Sequence, residues 1–149
     1  MRIYLDNCAF NRPFDDQSAI RIRLEAEAKL YVQALIKVGS LELIWSYILD
    51  FENAQNPFTE RRMAILHWKN LASTVVEESP ALLETARQFL AVGIKPKDAL
   101  HVAAAIIGKA EYFLSTDDRL LQKLSNHRSI TAINPVHYIG VLDGNDHRH

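Results

Sequence analysis

Cysteine is nearly missing: Cys8 stands alone in 149 residues. No intramolecular disulfide can form, and a reducing compartment is expected, because small oxidised domains carry paired cysteines. Cys8 itself reads as a small buried hydrophobe, since nothing basic beside it argues for a thiolate. Glycine is scarce, at 5 residues, and no Gly-rich loop of the P-loop or dinucleotide kind occurs. The absence of Gly-x-Ser-x-Gly argues against a Ser-His-Asp hydrolase. No apolar run approaches the roughly 20 residues that span a bilayer, and the N-terminus lacks the basic region and apolar core of a secretory signal. A soluble, cytoplasmic protein is therefore expected. Charge of one sign is also lacking, with 17 basic against 18 acidic residues, so no global field draws the chain to nucleic acid or membrane. Basic character is left to local clusters such as Arg21 with Arg23 and Arg61 with Arg62.

What is present is apolar material for one core. At 48% hydrophobic residues the chain suffices for one ordinary domain and not for two. A single domain is expected over residues 1–142, with 143–149 as a disordered tail. The densest signal runs from Ile94 to Asp118. Pro96 pre-sets a first helical position, which puts Asp98 in the first turn, against the exposed amides and the positive end of the helix dipole. From Ala99 to Ile107 only His101 is polar, so the spacing predicts a core helix, and Ala103, Ala104 and Ala105 let it approach a sheet closely. Gly108 and Lys109 stop it. Tyr112, Phe113 and Leu114 then form a brief strand ending at Ser115-Thr116-Asp117.

Around this stretch, strands and helices alternate. Arg2-Ile3-Tyr4-Leu5 is β-prone and closes on the turn-forming pair Asp6-Asn7, with loop from Asn11 to Asp16. Ile20, Leu24, Ala28, Tyr31, Leu35 and Val38 recur at three- and four-residue steps, the inward stripe of a long amphipathic helix stopped by Lys37 and Gly39. Leu41 to Trp45 reads as a second strand, and Ser46 caps the helix after it. That helix carries Asp50 and Glu52 about 200° apart, so one of them faces water. A segment from Thr59 to about Leu71 turns Met63, Leu66 and Trp68 inward and keeps Arg61, Arg62 and Lys69 wet. Thr74 to Glu77 is a third strand. Ser79-Pro80 opens a helix with Leu82, Leu83, Ala86, Phe89 and Leu90 inside and Gly93 at its end. Leu120, Leu121 and Leu124 suggest a short helix, and Ile130 to Ile133 a fifth strand.

This alternation predicts an α/β fold with a parallel sheet covered on both faces, because parallel pairs need crossover connections. In such sheets the site lies beyond the carboxyl ends of the strands. Asp6, Glu52, Asp98 and Asp117 can all gather at that edge. Each has a structural reading when taken alone: a turn residue, a solvated helix face, a dipole partner and an N-cap. Together, four carboxylates repel one another and raise each other's pKa unless a cation offsets them. Hard oxygen ligands without a second cysteine or a zinc-spaced histidine pair suggest Mg²⁺ or Mn²⁺. A carboxylate-held ion of this kind lowers the pKa of bound water and neutralises a phosphodiester, so hydrolysis of a nucleic-acid backbone is the natural reading. His101, three residues past Asp98, reads as a core histidine held by a hydrogen bond. The rivals are a non-catalytic module that binds RNA or protein, and a nucleotide phosphatase with Asp6 as covalent nucleophile. The phosphatase would need a second Asp where Cys8 stands.

Tyr4-Leu5-Asp6-Asn7, Ser46 with Glu52 six residues on, Lys97-Asp98-Ala99-Leu100-His101-Val102-Ala103-Ala104-Ala105 and Ala110-Glu111-Tyr112-Phe113-Leu114-Ser115-Thr116-Asp117 resemble the motifs of the PIN domain family, from Ile3 to about Pro135. The resemblance implies a three-layer α/β/α sandwich with a central parallel sheet of about five strands and a divalent-metal ribonuclease activity. It implies Asp6, Glu52, Asp98 and Asp117 as the metal-binding acids, Glu52 over Asp50 by its place after Ser46, and Asp117 over Asp118 by the Ser-x-Asp pattern. Ser115 becomes an orienting hydroxyl and Asn7 a supporting neighbour. Arg119 stands where many members keep a second acid. Many small bacterial members resemble VapC, the toxin of type II toxin-antitoxin pairs, which implies RNA as substrate, a homodimer and a cognate antitoxin as partners.

Overall fold

A computed structural model describes residues 1–146. Five strands, β1 (Arg2–Leu5), β2 (Glu42–Ser46), β3 (Thr74–Val76), β4 (Tyr112–Leu114) and β5 (Thr131–Ile133), form one sheet in the order β3-β2-β1-β4-β5. Every pairing is parallel. Helices α1 (Asn7–Asn11), α2 (Ile20–Lys37), α3 (Tyr47–Ala54), α4 (Thr59–Leu71), α5 (Pro80–Ala91), α6 (Pro96–Ile107), α7 (Asp118–Leu124) and α8 (Pro135–Asp146) cover it on both faces, giving the expected three-layer α/β/α sandwich.

The order of strands decides where chemistry can sit. The chain runs from β1 outward through β2 to β3, then returns to lay β4 and β5 on the other side of β1. The connections thus diverge between β1 and β4, and a crevice opens beyond the carboxyl ends of those two strands. Register aligns them: Tyr4 pairs with Phe113 and Leu5 with Leu114, so Asp6 and Ser115 leave the sheet at the same level. The core between the layers holds Tyr4, Phe10, Trp45, Leu49, Phe89 and Phe113, all essentially inaccessible.

Helix α6 is the core helix that its composition predicts, with Ala99 and Val102 to Ala105 fully buried. Gly108 permits its approach to the sheet: a Cβ there would meet Ile44 Cγ2 at 2.8 Å and Val76 Cγ2 at 3.1 Å. The residue that turns left-handed after this helix is Lys109, at φ 62°. Gly39 and Gly93, at φ 82° and 89°, end α2 and α5 as expected.

Four local expectations are corrected. Asp6-Asn7 is no simple turn, because Asp6 accepts from Ala9 N at 2.9 Å and caps the short helix α1. Part of the loop after Asn11 is a 3-10 turn over Arg12–Phe14. Most of the expected inward stripe of α2 points out: Ile20 and Val38 are 66% and 74% exposed, Leu24 and Tyr31 are exposed beside them, and only Ala28 is buried and Leu35 half-buried. The opposite face is buried, and it carries Glu25, Lys29 and Gln33 with Ala26, Val32 and Ile36. On α4, Ile65 and Trp68 are buried while Met63 and Leu66 lie outside. Helix α8, opened by Pro135 and by Asn134 Oδ1 accepting from Val136 N at 2.9 Å, had no counterpart in the sequence reading. It takes in residues 143–146 of the expected tail, and 147–149 lie outside the described residues.

Candidate functional site

Each acid is delivered by the end of an element. Asp6 follows β1 and is 3% exposed. Burial pushes its carboxyl up to about 6, against hydrogen bonds from Ser115 and Ala9 and the nearby His101, which pull it down, and Asp98 adds to the rise. Asp117 follows β4 and caps α7, accepting from Arg119 N at 3.0 Å and Leu120 N at 3.3 Å. Its own N–H donates to Ser115 Oγ at 3.1 Å, so Ser115 links the acids of β1 and β4. Asp98 stands in the first turn of α6. Its carboxyl is raised by partial burial, then by Asp117 and Glu52, while His101 and Lys95 oppose the shift. Asp98 and Asp117 line one small cavity of 80 Å³, with Lys95, Arg119 and Lys123 around it. Asn7 sits in the first turn of α1 and is tied to Asn11, whose Nδ2 donates to its carbonyl at 2.9 Å and to its Oδ1 at 3.1 Å.

The two pairs of neighbouring acids separate cleanly. Asp50 accepts from Trp45 Nε1 at 3.0 Å and from Lys69 Nζ at 3.0 Å, so it is spent on structure and only half wet. Asp118 turns outward to a two-pronged ion pair with Arg21, Oδ2 to Nη1 at 2.6 Å and Oδ1 to Nη2 at 2.5 Å. Glu52 points instead toward the crevice, where it accepts from His101 Nε2.

His101 does more than fill the core. It is 2% exposed, and its Nδ1 lies 2.6 Å from Tyr4 Oη, which in turn lies 2.6 Å from Ser46 Oγ. With Nε2 protonated toward Glu52, the network is satisfied when Ser46 donates to Tyr4 and Tyr4 donates to Nδ1. Two strands, β2 and β1, and two helices, α6 and α3, therefore meet in one chain of hydrogen bonds that ends on the candidate acid Glu52. The sequence marked Ser46 as the cap of α3, which it is, accepting from Leu49 N at 3.3 Å, and both Ser46 and Tyr4 as members of motifs, but gave neither a link to His101. Cys8 is exposed and not buried as expected. Its thiol is pushed up to about 12, first by partial burial and then by Asp6, Asp117, Asp98 and Glu52, so it senses all four acids and is no nucleophile.

The four carboxylates are hard oxygen donors of the kind a divalent cation takes, and all four act electrostatically on the Cys8 thiol while two of them raise Asp98. The side chains are not closed around a common point, since no three His, Cys, Asp or Glu groups among the described residues could together hold a metal ion. Basic residues flank the acids where the sequence did not suggest them. Lys95 and Arg119 line the small cavity and Lys97 a neighbouring groove, whereas Arg21 is engaged by Glu25 and Asp118 and Arg62 donates to Asn56 O.

Comparisons with known proteins agree with this architecture. The fold is similar to VapBC-1 from nontypeable Haemophilus influenzae at 13% identity and a TM-score of 0.61, over 91% of this chain and 98% of that one. It is similar to FitAcB from Neisseria gonorrhoeae at 16% identity and 0.58, over 91% and 99%. A third likeness is VapBC2 from Rickettsia felis bound to a DNA fragment from their promoter, at 13% identity and 0.56, over 90% and 98%. No curated protein matches the sequence at a significant level. The family model that does match, described as PIN domain, spans residues 3–125, a stretch that includes Asp6, Ser46, Glu52, Asp98, Ser115 and Asp117. By that match, the chain belongs to the PIN domain family.

Proposed function

We propose that the protein is a Mg²⁺- or Mn²⁺-dependent endoribonuclease, acting as the toxin of a toxin-antitoxin pair. The observation that carries this reading is the delivery of Asp6, Asp98 and Asp117 to one crevice at the point where the sheet's connections diverge, close enough that Asp98 and Asp117 each raise a neighbour's pKa. Asp6, Asp98 and Asp117 would hold the ion, with Glu52 completing the acidic cluster. When bound, the ion supplies charge neutralisation at the phosphodiester and acidifies the attacking water. Glu52 would position or deprotonate the attacking water, with His101 Nε2 orienting its carboxylate from behind. Ser115 orients Asp6 and Asp117 together.

The neighbours' descriptions as VapBC and FitAcB assemblies support an antitoxin partner for this chain. The outward apolar stripe of α2, Ile20, Leu24, Tyr31 and Val38, supports contact with protein, a homodimer included. The decisive experiment is cleavage of an end-labelled RNA pool by wild type and Asp98→Asn with Mg²⁺, Mn²⁺ or chelator. Cleavage that needs both the ion and Asp98 is expected; equal cleavage by a folded Asp98→Asn would sink the assignment. A non-catalytic binding module is the second reading, favoured by the engagement of Glu52 with His101 and by the unclosed acid shell. RNA or protein binding that is unchanged by chelator, with no cleavage under any metal, would establish it.

A further inference from the structure

Three cations line the 80 Å³ cavity that holds Asp98 and Asp117, and the fold uses them differently. Lys123 is spent on structure, its Nζ donating to Gly93 O at 2.9 Å. Lys95 acts on Asp98, opposing the rise of its carboxyl. Arg119 has neither role. Among the described residues its guanidinium makes no hydrogen bond and no ion pair, although two carboxylates line the same cavity. Its backbone is nonetheless held fast. Arg119 N donates to Asp117 Oδ1 at 3.0 Å, which ties the residue to a site acid. On one side of it Asp118 is drawn outward to Arg21, at 2.6 and 2.5 Å, and on the other Leu120 is 3% exposed in the core. With both neighbours pinned, the first turn of α7 presents Arg119 at the cavity.

Four ionised carboxylates carry four negative charges, and one divalent ion offsets two of them. A phosphodiester brings another, and in-line attack loads more charge onto its non-bridging oxygens. A guanidinium suits that load, because it stays charged at every working pH and its planar fork matches two phosphate oxygens at once. The cavity is far below the roughly 300–1,000 Å³ of a site that takes a whole small molecule, so it suits one small group such as a phosphoryl. We propose that Arg119 is a further catalytic residue, whose guanidinium takes the non-bridging oxygens of the scissile phosphate at the cavity between Asp98 and Asp117. Arg119 keeps its proton throughout. The water oxygen bonds to phosphorus as the bond to the leaving ribose oxygen breaks; the water's proton passes to Glu52 or to solvent, and the leaving oxygen takes one from solvent. This rests on the nuclease reading above and gives it a residue which that reading does not use.

The test compares wild type, Arg119→Ala, Arg119→Lys and Arg87→Ala on an end-labelled RNA pool with Mn²⁺, as single-turnover rates over a range of protein concentration, beside calorimetry of Mn²⁺ binding without RNA. Arg119→Ala should cleave roughly 100-fold more slowly at saturation, the range for one preorganised donor. Its half-saturating concentration should change little, because the contact strengthens in the transition state. Arg119→Lys, which keeps the charge and loses the fork, should recover part of the rate, and so should guanidinium ion added to Arg119→Ala. Arg87→Ala, which removes an exposed α5 cation paired with Glu84, should cleave like wild type. Mn²⁺ should bind Arg119→Ala at least as tightly as wild type, since a repelling cation is gone, and melting should not change. The proposal is overturned if Arg119→Ala cleaves like wild type, if guanidinium restores nothing, or if Mn²⁺ binding falls, which would make Arg119 a support for the acids. The two readings fail separately. Metal-dependent cleavage that needs Asp98 and ignores Arg119 would remove this role and keep the nuclease. No cleavage by folded wild type under any metal would remove both.

Discussion

At the scale of single residues, the consequential feature is a carboxyl held where it does not readily ionise. Burial pushes the Asp6 carboxyl up from its ordinary 3.8 to about 6 in the folded chain. Between these values the folded state keeps a proton that the unfolded state has lost, so metal-free stability from this group is full below about pH 4 and is lost as pH rises through 6. The loss is on the order of 3 kcal/mol. A divalent ion should therefore raise the melting temperature more at pH 7 than at pH 5, and Asp6→Asn should abolish that metal-dependent shift without lowering metal-free stability at pH 7. Calorimetry with and without Mn²⁺ checks both. Tyr4→Phe tests the buried chain of hydrogen bonds. It leaves Ser46 Oγ and His101 Nδ1 without their shared partner, at a cost of roughly 1–3 kcal/mol, read by urea denaturation. Spacing alone left open the choice between Asp50 and Glu52 and between Asp117 and Asp118; Asp50 and Asp118 are engaged by partners far away in the chain, Lys69 and Arg21.

At the scale of elements, α2 shows how a pattern can be present and its direction lost. Most of the three- and four-residue stripe faces out, only Ala28 of it being buried, and the interior accepts the side with Glu25, Lys29 and Gln33. Arg21 Nε at 3.3 Å and the amide of Asn134 both donate to Glu25 Oε2, while Arg12 Nε lies 3.1 Å from Oε1 as an ion pair without hydrogen-bond alignment. Lys29 Nζ lies over the rings of Phe10 and Trp68 at 5.1 and 5.7 Å. No periodicity count can see these partners, which come from the 3-10 turn, α1, α4 and the start of α8. Desolvation drops Lys29 from 10.5 to about 7. From pH 7 to 10.5 the unfolded chain holds a proton that the folded chain has released, so stability rises with pH across that window and the cost of the ammonium is complete below 7. Lys29→Met should stabilise the protein by roughly 1–3 kcal/mol at pH 6, with the gain shrinking toward pH 10. Chemical denaturation at the two pH values decides it. At the other face, Gly108→Ala should cost roughly 1–3 kcal/mol, because its Cβ would press on Ile44 and Val76 where α6 meets the sheet.

At the scale of the whole molecule, the exposed stripe of α2 is continuous with a groove of 840 Å³. Ile20 and Leu24 line that groove with Leu121, Ile133 and Val136. Such a surface on a chain whose interior is already complete favours association. Sedimentation of the purified chain should show self-association, and Tyr31→Glu should shift it toward the monomer without changing its melting. A monomeric wild type would leave the stripe to a different protein.

The sequence by itself determined the class of fold, the strands to within a residue or so and the core helix α6. Strand propensity, capping residues and a run of apolar residues broken only by His101 are local properties that need no partner. Tertiary structure alone decided that β4 lies beside β1, which puts Asp6 and Ser115 at one level. It also decided that α2 turns its charged side inward, and that Tyr4, Ser46 and His101 join behind Glu52. Each of these depends on groups separated by tens of residues that the sheet brings to hydrogen-bonding distance, and the energy of such a contact is written in neither partner's neighbours along the chain.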